Sequence, residues 1–210
     1  MNQETGSILL AIARESLAAA LGFGEESSRD ELWLREPGAT FITLRRFAEL
    51  RGCVGTIQAY RPLLEDVRSN SRAAAFSDSR FPPVRPAEYP ALSLEVSLLS
   101  PCEPLEAGCE EDSVRRLRPG TDGVVFEFEG RRSTFLPQVW EQLQDPWEFL
   151  AHLKQKAGFP DSFWDPDVKL WRYTVTKWCE EPTPHAALQS DRARPLAGQG
   201  ALPRRDRSSD

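Results

Sequence analysis

Histidine, methionine and long apolar runs are what this 210-residue sequence has least of. There are two His, His152 and His185, and one Met. Two imidazoles are too few for a His-rich metal site, so none is expected. No run of about 18 apolar residues is present, which excludes a membrane-spanning helix. Met1–Ser7 carries no basic segment ahead of an apolar one, so no signal peptide is read and a cytoplasmic location is expected. The four cysteines, Cys53, Cys102, Cys109 and Cys179, form no C-x-x-C pair. That excludes a zinc knuckle or a dithiol redox motif and leaves reduced thiols. Basic charge is also short, with 26 Lys+Arg against 32 Asp+Glu. The deficit disfavours a dedicated nucleic-acid binder, which needs surplus cations to neutralise phosphates. No G-x-G-x-x-G, Walker A, H-E-x-x-H or G-x-S-x-G pattern occurs, and no cofactor is expected.

What remains is a chain that is 40% hydrophobic, with six Trp and 17 Pro. That is enough apolar material to bury a core without disulfide or metal staples. Residues 181–210 differ from the rest. They have no apolar period and are dominated by Pro, Gly, Arg, Ser and Asp. Such a segment cannot offset its ordering entropy, so a disordered tail over 181–210 and one domain over 1–180 are expected.

Within that domain, Ser7 is placed as the cap of a first helix with Ile8, Leu9, Ile12, Ser16 and Ala19 on one face, ended by Gly22 and Gly24. Ala39 to Arg46 reads as a strand, and Val54 to Ile57 as its hairpin partner. Pro62 opens a second helix whose apolar face is Leu63, Val67, Ser71 and Ala74, ending near Phe76. Leu92, Leu94, Val96 and Leu98 alternate strictly with polar residues, which predicts a half-buried strand. Asp122-Gly123 reads as a turn before a strand over Val124–Phe128, and Gly130 turns the chain into Ser133–Leu136. Asp145-Pro146 starts a helix running to Ala157 and stopped by Gly158. Asp167 to Trp178 is the last strand region. Hairpins set between helices predict an α+β fold with antiparallel sheet.

Chemistry concentrates in Arg51-Gly52-Cys53-Val54-Gly55-Thr56. A thiol between glycines has accessible backbone on both sides, and a cation two residues away favours a thiolate if it lies close. Cys53 is therefore a candidate nucleophile with Arg51 as its activating cation. Gly52, Gly55 and Thr56 are candidates for a small-ligand cradle. The alternative is a small buried Cys with glycines serving sheet geometry. His152, on the last helix, is the one candidate imidazole base in the domain. Asp78 and Arg80 present a carboxylate and a guanidinium together. Glu95 lies on the non-core face of its strand, where cover would require a partner such as Arg51 or Arg80.

Leu50-Arg51-Gly52-Cys53-Val54-Gly55-Thr56 resembles the L-R-G-C-I-G-T signature of the AMMECR domain family, called AmmeMemoRadiSam system protein A in prokaryotes. The likeness continues through Asp78-Ser79-Arg80-Phe81-Pro82-Pro83, Leu94–Ser100, Gly120–Val124, Thr134-Phe135-Leu136-Pro137-Gln138-Val139-Trp140 and Lys156-Ala157-Gly158. It spans roughly residues 5–180. The resemblance implies a two-lobed α+β fold of mostly antiparallel sheets flanked by helices, with the R-G-C motif lining a cleft between lobes. It also implies two partners, a Memo-like protein and a radical-SAM protein, and an accessory role in a modification system. As a binding module the chain is expected to hold in its cleft a small anionic ligand or a segment of one of those partners. One departure is evident. Family members often carry an Asn/Asp-Gly turn before the motif, whereas this chain has Phe47-Ala48, so a longer or different turn is expected.

Overall fold

The computed structural model describes residues 3–106 and 108–180. Helix α1 (Gln3–Ala20) buries Leu9, Ile12, Ala13, Ser16 and Leu17. These follow the i, i+3, i+4, i+7, i+8 spacing of one helical face. Ile8 and Ala19 lie at its margin. Ser7 does not cap the helix, which starts four residues earlier; its hydroxyl donates to the Gln3 carbonyl at 3.1 Å. Gly22, at φ +81°, ends α1. Its N–H reaches the Ala19 carbonyl, and the Phe23 N–H reaches that of Ala18. This is the paired closure that a left-handed residue permits.

Strands β1 (Thr40–Arg46) and β2 (Glu49–Gly55) pair antiparallel. The expected partner strand at Val54–Ile57 sits earlier, and the Leu50–Gly55 motif lies inside it. Arg46 pairs with Glu49, so the hairpin loop is only Phe47-Ala48, with φ of 52° and 68°. Two positive φ values define the tight turn that the right-handed strand twist selects. The turn is thus short, and Phe and Ala occupy positions that suit Asn-Gly. Helix α2 (Leu63–Phe76) follows Pro62 and buries the expected Leu63, Val67, Ser71 and Ala74. It also buries Asp66 and Asn70 beside them. Strand β3 (Leu92–Leu99) buries Leu92, Leu94, Val96 and Leu98 as its alternation requires. Each is worth about 1.5–3 kcal/mol of burial.

The chain then builds a second lobe from β4 (Glu103–Pro104), α3 (Glu110–Arg116), β5 (Gly123–Phe128), β6 (Arg131–Phe135), α4 (Pro146–Lys156) and β7 (Lys169–Tyr173). Residues 101–118 are mostly polar, yet they hold β4 and α3. Asp122-Gly123 is not the turn. Asp122 is buried and bonded to Arg118, while Gly123 opens β5. The hairpin turns at Glu129-Gly130, both at positive φ. Asp145 caps α4, its Oδ1 accepting from the N–H groups of Trp147 and Glu148. Trp140 stacks on Phe149, with centroids 3.8 Å apart, inside this lobe's core.

Strand β8 (Val175–Cys179) returns to the first lobe, so the last strand region is two strands split at Thr174. The sheets are ordered β2-β1-β3-β8 and β4-β7-β5-β6, with every pairing antiparallel. α1 and α2 cover one face of the first sheet. Ala39, Leu99, Val125 and Tyr173 join the lobes. Burial pushes the Tyr173 phenol up to about 12. The expectation of a disordered tail lies outside the described residues.

Candidate functional site

The signature motif shapes β2 before it does any chemistry. Leu44 pairs with Gly52 and Arg45 with Leu50, leaving Arg51 as the extra residue of a bulge. Gly52 then turns toward α2, where an added Cβ would stand 2.1 Å from the Ala74 carbonyl oxygen. At Gly55 an added Cβ would meet the Phe41 ring at 2.3 Å. Both glycines are needed for close approach of other protein atoms, which leaves no room for a ligand cradle at either. Thr56 is likewise committed inward. Its hydroxyl donates to Asp66 Oδ1 and accepts from Asn70 Nδ2.

Asp66 is fully buried and was missed by reading the sequence. Its Oδ2 accepts from the Thr40 N–H at 2.8 Å, the Thr40 hydroxyl at 2.7 Å and Asn70 Nδ2 at 2.9 Å. Arg61 Nε donates to Oδ1 at 2.8 Å. A buried carboxylate persists only with such partners. The available signal was Asp66 and Asn70, four apart and three residues after Leu63 and Val67, on the edge of an apolar helical face.

Cys53 faces away from the helices and pairs with Thr43, whose hydroxyl lies 3.3 Å from Cys53 Sγ and donates to it. Among the described residues β2 is an edge strand, so the Cys53 main chain has no strand partner on its outer side. Asp78 and Arg80 supply one. The Cys53 N–H donates to Asp78 Oδ2 at 2.8 Å, and Arg80 Nη2 donates to the Cys53 carbonyl at 3.3 Å. Arg80 also holds Asp78 through Nε and Nη2, at 2.9 and 2.7 Å. The pair therefore mimics a neighbouring strand and blocks the open edge. Arg80's bonds hold the Asp78 carboxyl well below the usual carboxylate range, against burial that pushes the other way.

The cation beside Cys53 is Arg80, not Arg51. The Arg51 guanidinium is committed to Glu88 in the helical turn Pro86–Ala91, through bonds of 2.9 and 3.1 Å. Arg51 holds the Glu88 carboxyl down at about 2. His152 lies on the second lobe's α4, exposed, with Nδ1 2.9 Å from the Glu148 carbonyl. It makes no contact with Cys53.

Glu95 does share a surface with Cys53. Thr43 pairs with Cys53 on one side and with Glu95 on the other, and Glu95 pairs with Cys179. Cys53, Thr43, Glu95 and Cys179 thus form one cross-strand row on the face opposite α1 and α2. Strand spacing puts Cys53 and Glu95 about 9–10 Å apart. Glu95 takes Lys177 as its partner, at 3.9 Å, not the expected Arg51 or Arg80. The Cys179 thiol donates to Glu95 at 3.6 Å, and burial, with the Glu95 charge, pushes that thiol up. Among the described residues, Cys53 Sγ has Thr43 as its hydrogen-bond partner and no acid or base within bonding distance.

Two cavities flank the contact between lobes. One of 610 Å³ is lined by residues that include Gln138, Trp140, Val175 and Lys177. The other, of 300 Å³, is lined by Ile57, Gln58, Arg132, Ser133, Thr134 and Lys156. Cys53 lines neither. Among the described residues no cluster of three His, Cys, Asp or Glu could hold a metal ion, and no helix is long and apolar enough to cross a membrane.

The AMMECR1 family model matches residues 10–178. A protein of Thermococcus gammatolerans is 38% identical, covering 86% of this chain and 93% of the relative. One from Methanothermobacter thermautotrophicus is 36% identical, covering 86% and 97%. The crystal structure of the uncharacterised protein PH0010 from Pyrococcus horikoshii superposes with a TM-score of 0.73 at 33% identity, covering 87% of this chain and 94% of that one. The two-lobed α+β fold, with antiparallel sheets flanked by helices, agrees with that likeness, and the chain belongs to the AMMECR1 family.

Proposed function

We propose that this protein is an accessory component of a modification system, acting with a Memo-like protein and a radical-SAM protein through the sheet face that carries Cys53. The partners come from the family resemblance. The surface comes from one observation, the row of Cys53, Thr43, Glu95 and Cys179 on the half-exposed face opposite α1 and α2. That face sets a fixed thiol, a carboxylate and the Lys177 ammonium on a rigid four-stranded sheet. Rigid display without a base beside the thiol suits docking and presentation better than nucleophilic catalysis, which needs a positioned proton acceptor.

A second reading is a Cys-dependent enzyme with Cys53 as nucleophile or covalent carrier. Arg80 favours it, because its guanidinium is bonded to the Cys53 carbonyl and lies within electrostatic reach of the thiol. Co-expression with the two partner proteins separates the readings. Docking expects a complex that survives Cys53→Ser and is lost on Ser93→Arg, which puts a bulky cation on the same face. Retention of the complex in Cys53→Ser with complete loss of cellular function, together with alkylation of Cys53 faster than a model thiol at neutral pH, supports the second reading. Failure of the wild-type chain to associate with either partner overturns the first.

A further inference from the structure

The structure assigns a small-anion site to the 300 Å³ cavity between the lobes, and we propose a small phosphorylated molecule as its ligand. The site uses none of the residues of the Cys53 face. Gln58 comes from the segment just after β2, Arg132, Ser133 and Thr134 from β6, and Lys156 from the end of α4.

The charge on its walls is the first argument. The chain carries a net charge of −6, yet among the described residues this lining holds Arg132 and Lys156 and no carboxylate. Among the described residues the acid paired with Arg132 is Glu127, with its oxygen 3.9 Å from Nε, beyond hydrogen-bond distance. Lys156 has no carboxylate partner among the described residues; its Nζ donates to the Thr134 carbonyl at 2.9 Å and sits 5.1 Å from the Phe135 ring centre. Two cations in a concave, partly apolar wall concentrate positive potential where a ligand would sit.

The hydrogen-bond ledger of the wall is the second. Its acceptors are largely used up internally. Arg132 Nη1 takes the Gln58 side-chain oxygen at 3.1 Å, which fixes the amide with its NH₂ group as the free end. Lys156 takes the Thr134 carbonyl. The Ser133 hydroxyl is turned inward, donating to the Leu153 carbonyl at 2.7 Å, and the Thr134 hydroxyl is bonded to the Val124 carbonyl and beside the Tyr173 hydroxyl. Left over among the described residues are the outer guanidinium N–H groups of Arg132, two ammonium protons of Lys156 and the Gln58 amide protons. A wall of donors calls for a ligand of acceptors, and planar guanidinium beside a point-charge ammonium is the pairing that phosphate oxygens take.

Size separates a phosphorylated molecule from the bare ion. The cavity sits at the small end of the ~300–1,000 Å³ range of ligand sites. Ile57 offers an apolar wall, and Arg132 lies 5.7 Å from the Trp171 ring centre, which holds the guanidinium in place.

The test is calorimetric titration of the full chain at fixed ionic strength with inorganic phosphate, pyrophosphate, a nucleoside monophosphate and citrate. Phosphorus NMR line widths provide an independent readout. Wild type is expected to bind at least one phosphate compound, and a nucleoside monophosphate more tightly than inorganic phosphate. Arg132→Gln and Lys156→Gln should each weaken binding by about tenfold or more, the worth of one charge-assisted hydrogen bond. Lys169→Gln, an exposed lysine outside this lining, should leave affinity unchanged. Circular dichroism and urea midpoints of the variants check that they remain folded. No binding by wild type, equal binding by the Arg132→Gln/Lys156→Gln double variant, equal loss in Lys169→Gln, or a preference for citrate over every phosphate compound overturns the assignment.

Discussion

Replacing Gly52 by Ala tests whether the glycine of the signature motif serves packing rather than ligand binding. The added Cβ would stand 2.1 Å from the Ala74 carbonyl oxygen, with the Ala74 carbonyl carbon at 3.1 Å. That is more than about 1 Å inside the ~3.5 Å optimum for non-bonded heavy atoms. The obstacle is helix backbone, so no side chain can rotate away. β2 and α2 must separate, and the strain falls on a contact bordered by Leu44, Val67 and Ala74, all at most 1% exposed. A gap of about 0.5–1 Å forfeits a quarter to a half of the dispersion energy across such a surface. Overpacking typically costs about 1–3 kcal/mol, and a rigid obstacle belongs at the upper end. The lower backbone entropy of Ala in the unfolded chain returns about 0.5–1 kcal/mol. The expected net loss is about 2–2.5 kcal/mol. With a urea m-value of about 2 kcal/mol/M, that lowers the unfolding midpoint by about 1–1.2 M. Gly24→Ala, where nothing lies within 4 Å, is the control: it keeps the entropy gain without the clash and should raise the midpoint by up to about 0.5 M. A Gly52→Ala midpoint matching wild type, with an unchanged m-value, refutes the reasoning.

Two further perturbations probe local strain and charge. Changing Phe47-Ala48 to Asn-Gly places residues that accept positive φ in a turn already at 52° and 68°. This should raise stability by about 1 kcal/mol, or about 2–4 °C in melting temperature, and a lower melting temperature counts against the turn assignment. Glu88 is held at about 2 by Arg51, below its ordinary value of 4.5. Its stabilising effect is complete above pH 4.5 and is lost as pH falls through about 2. Glu88→Gln should therefore be less stable than wild type at neutral pH by on the order of 1 kcal/mol once solvent screening of the pair is allowed for, with the gap closing across that acid window. A constant gap down to pH 2 in urea titrations contradicts it.

Elements whose causes are local were legible in the sequence. The Leu63, Val67, Ser71, Ala74 face of α2, the alternation of β3, the Asp145 cap and the Gly130 turn each depend on residues within a few positions of one another. Errors arose where a neighbouring signal outweighed a local one. Ser7 is a good cap residue, but the helix extends past it. Asp122-Gly123 is a good turn dipeptide, but a buried Asp122 pairs with Arg118 and pins the start of β5. The positive-φ turn at Phe47-Ala48 was illegible, because strand register imposes it on residues that disfavour it.

The sequence by itself determined an α+β chain with a cysteine in a glycine-flanked motif, and through that motif its family. Only the tertiary structure decided what the motif's residues do. Arg51 is bonded to Glu88, 37 positions away, and Arg80, 27 positions from Cys53, stands beside that cysteine. A bulge turns Gly52 toward α2, and a carboxylate the periodicity hid takes the Thr56 hydroxyl. The physical reason is that periodicity encodes which face of an element is buried, whereas charge partners and clefts depend on how elements distant in sequence are brought together. Arg132, Lys156 and Gln58 converge on one cavity for that reason alone.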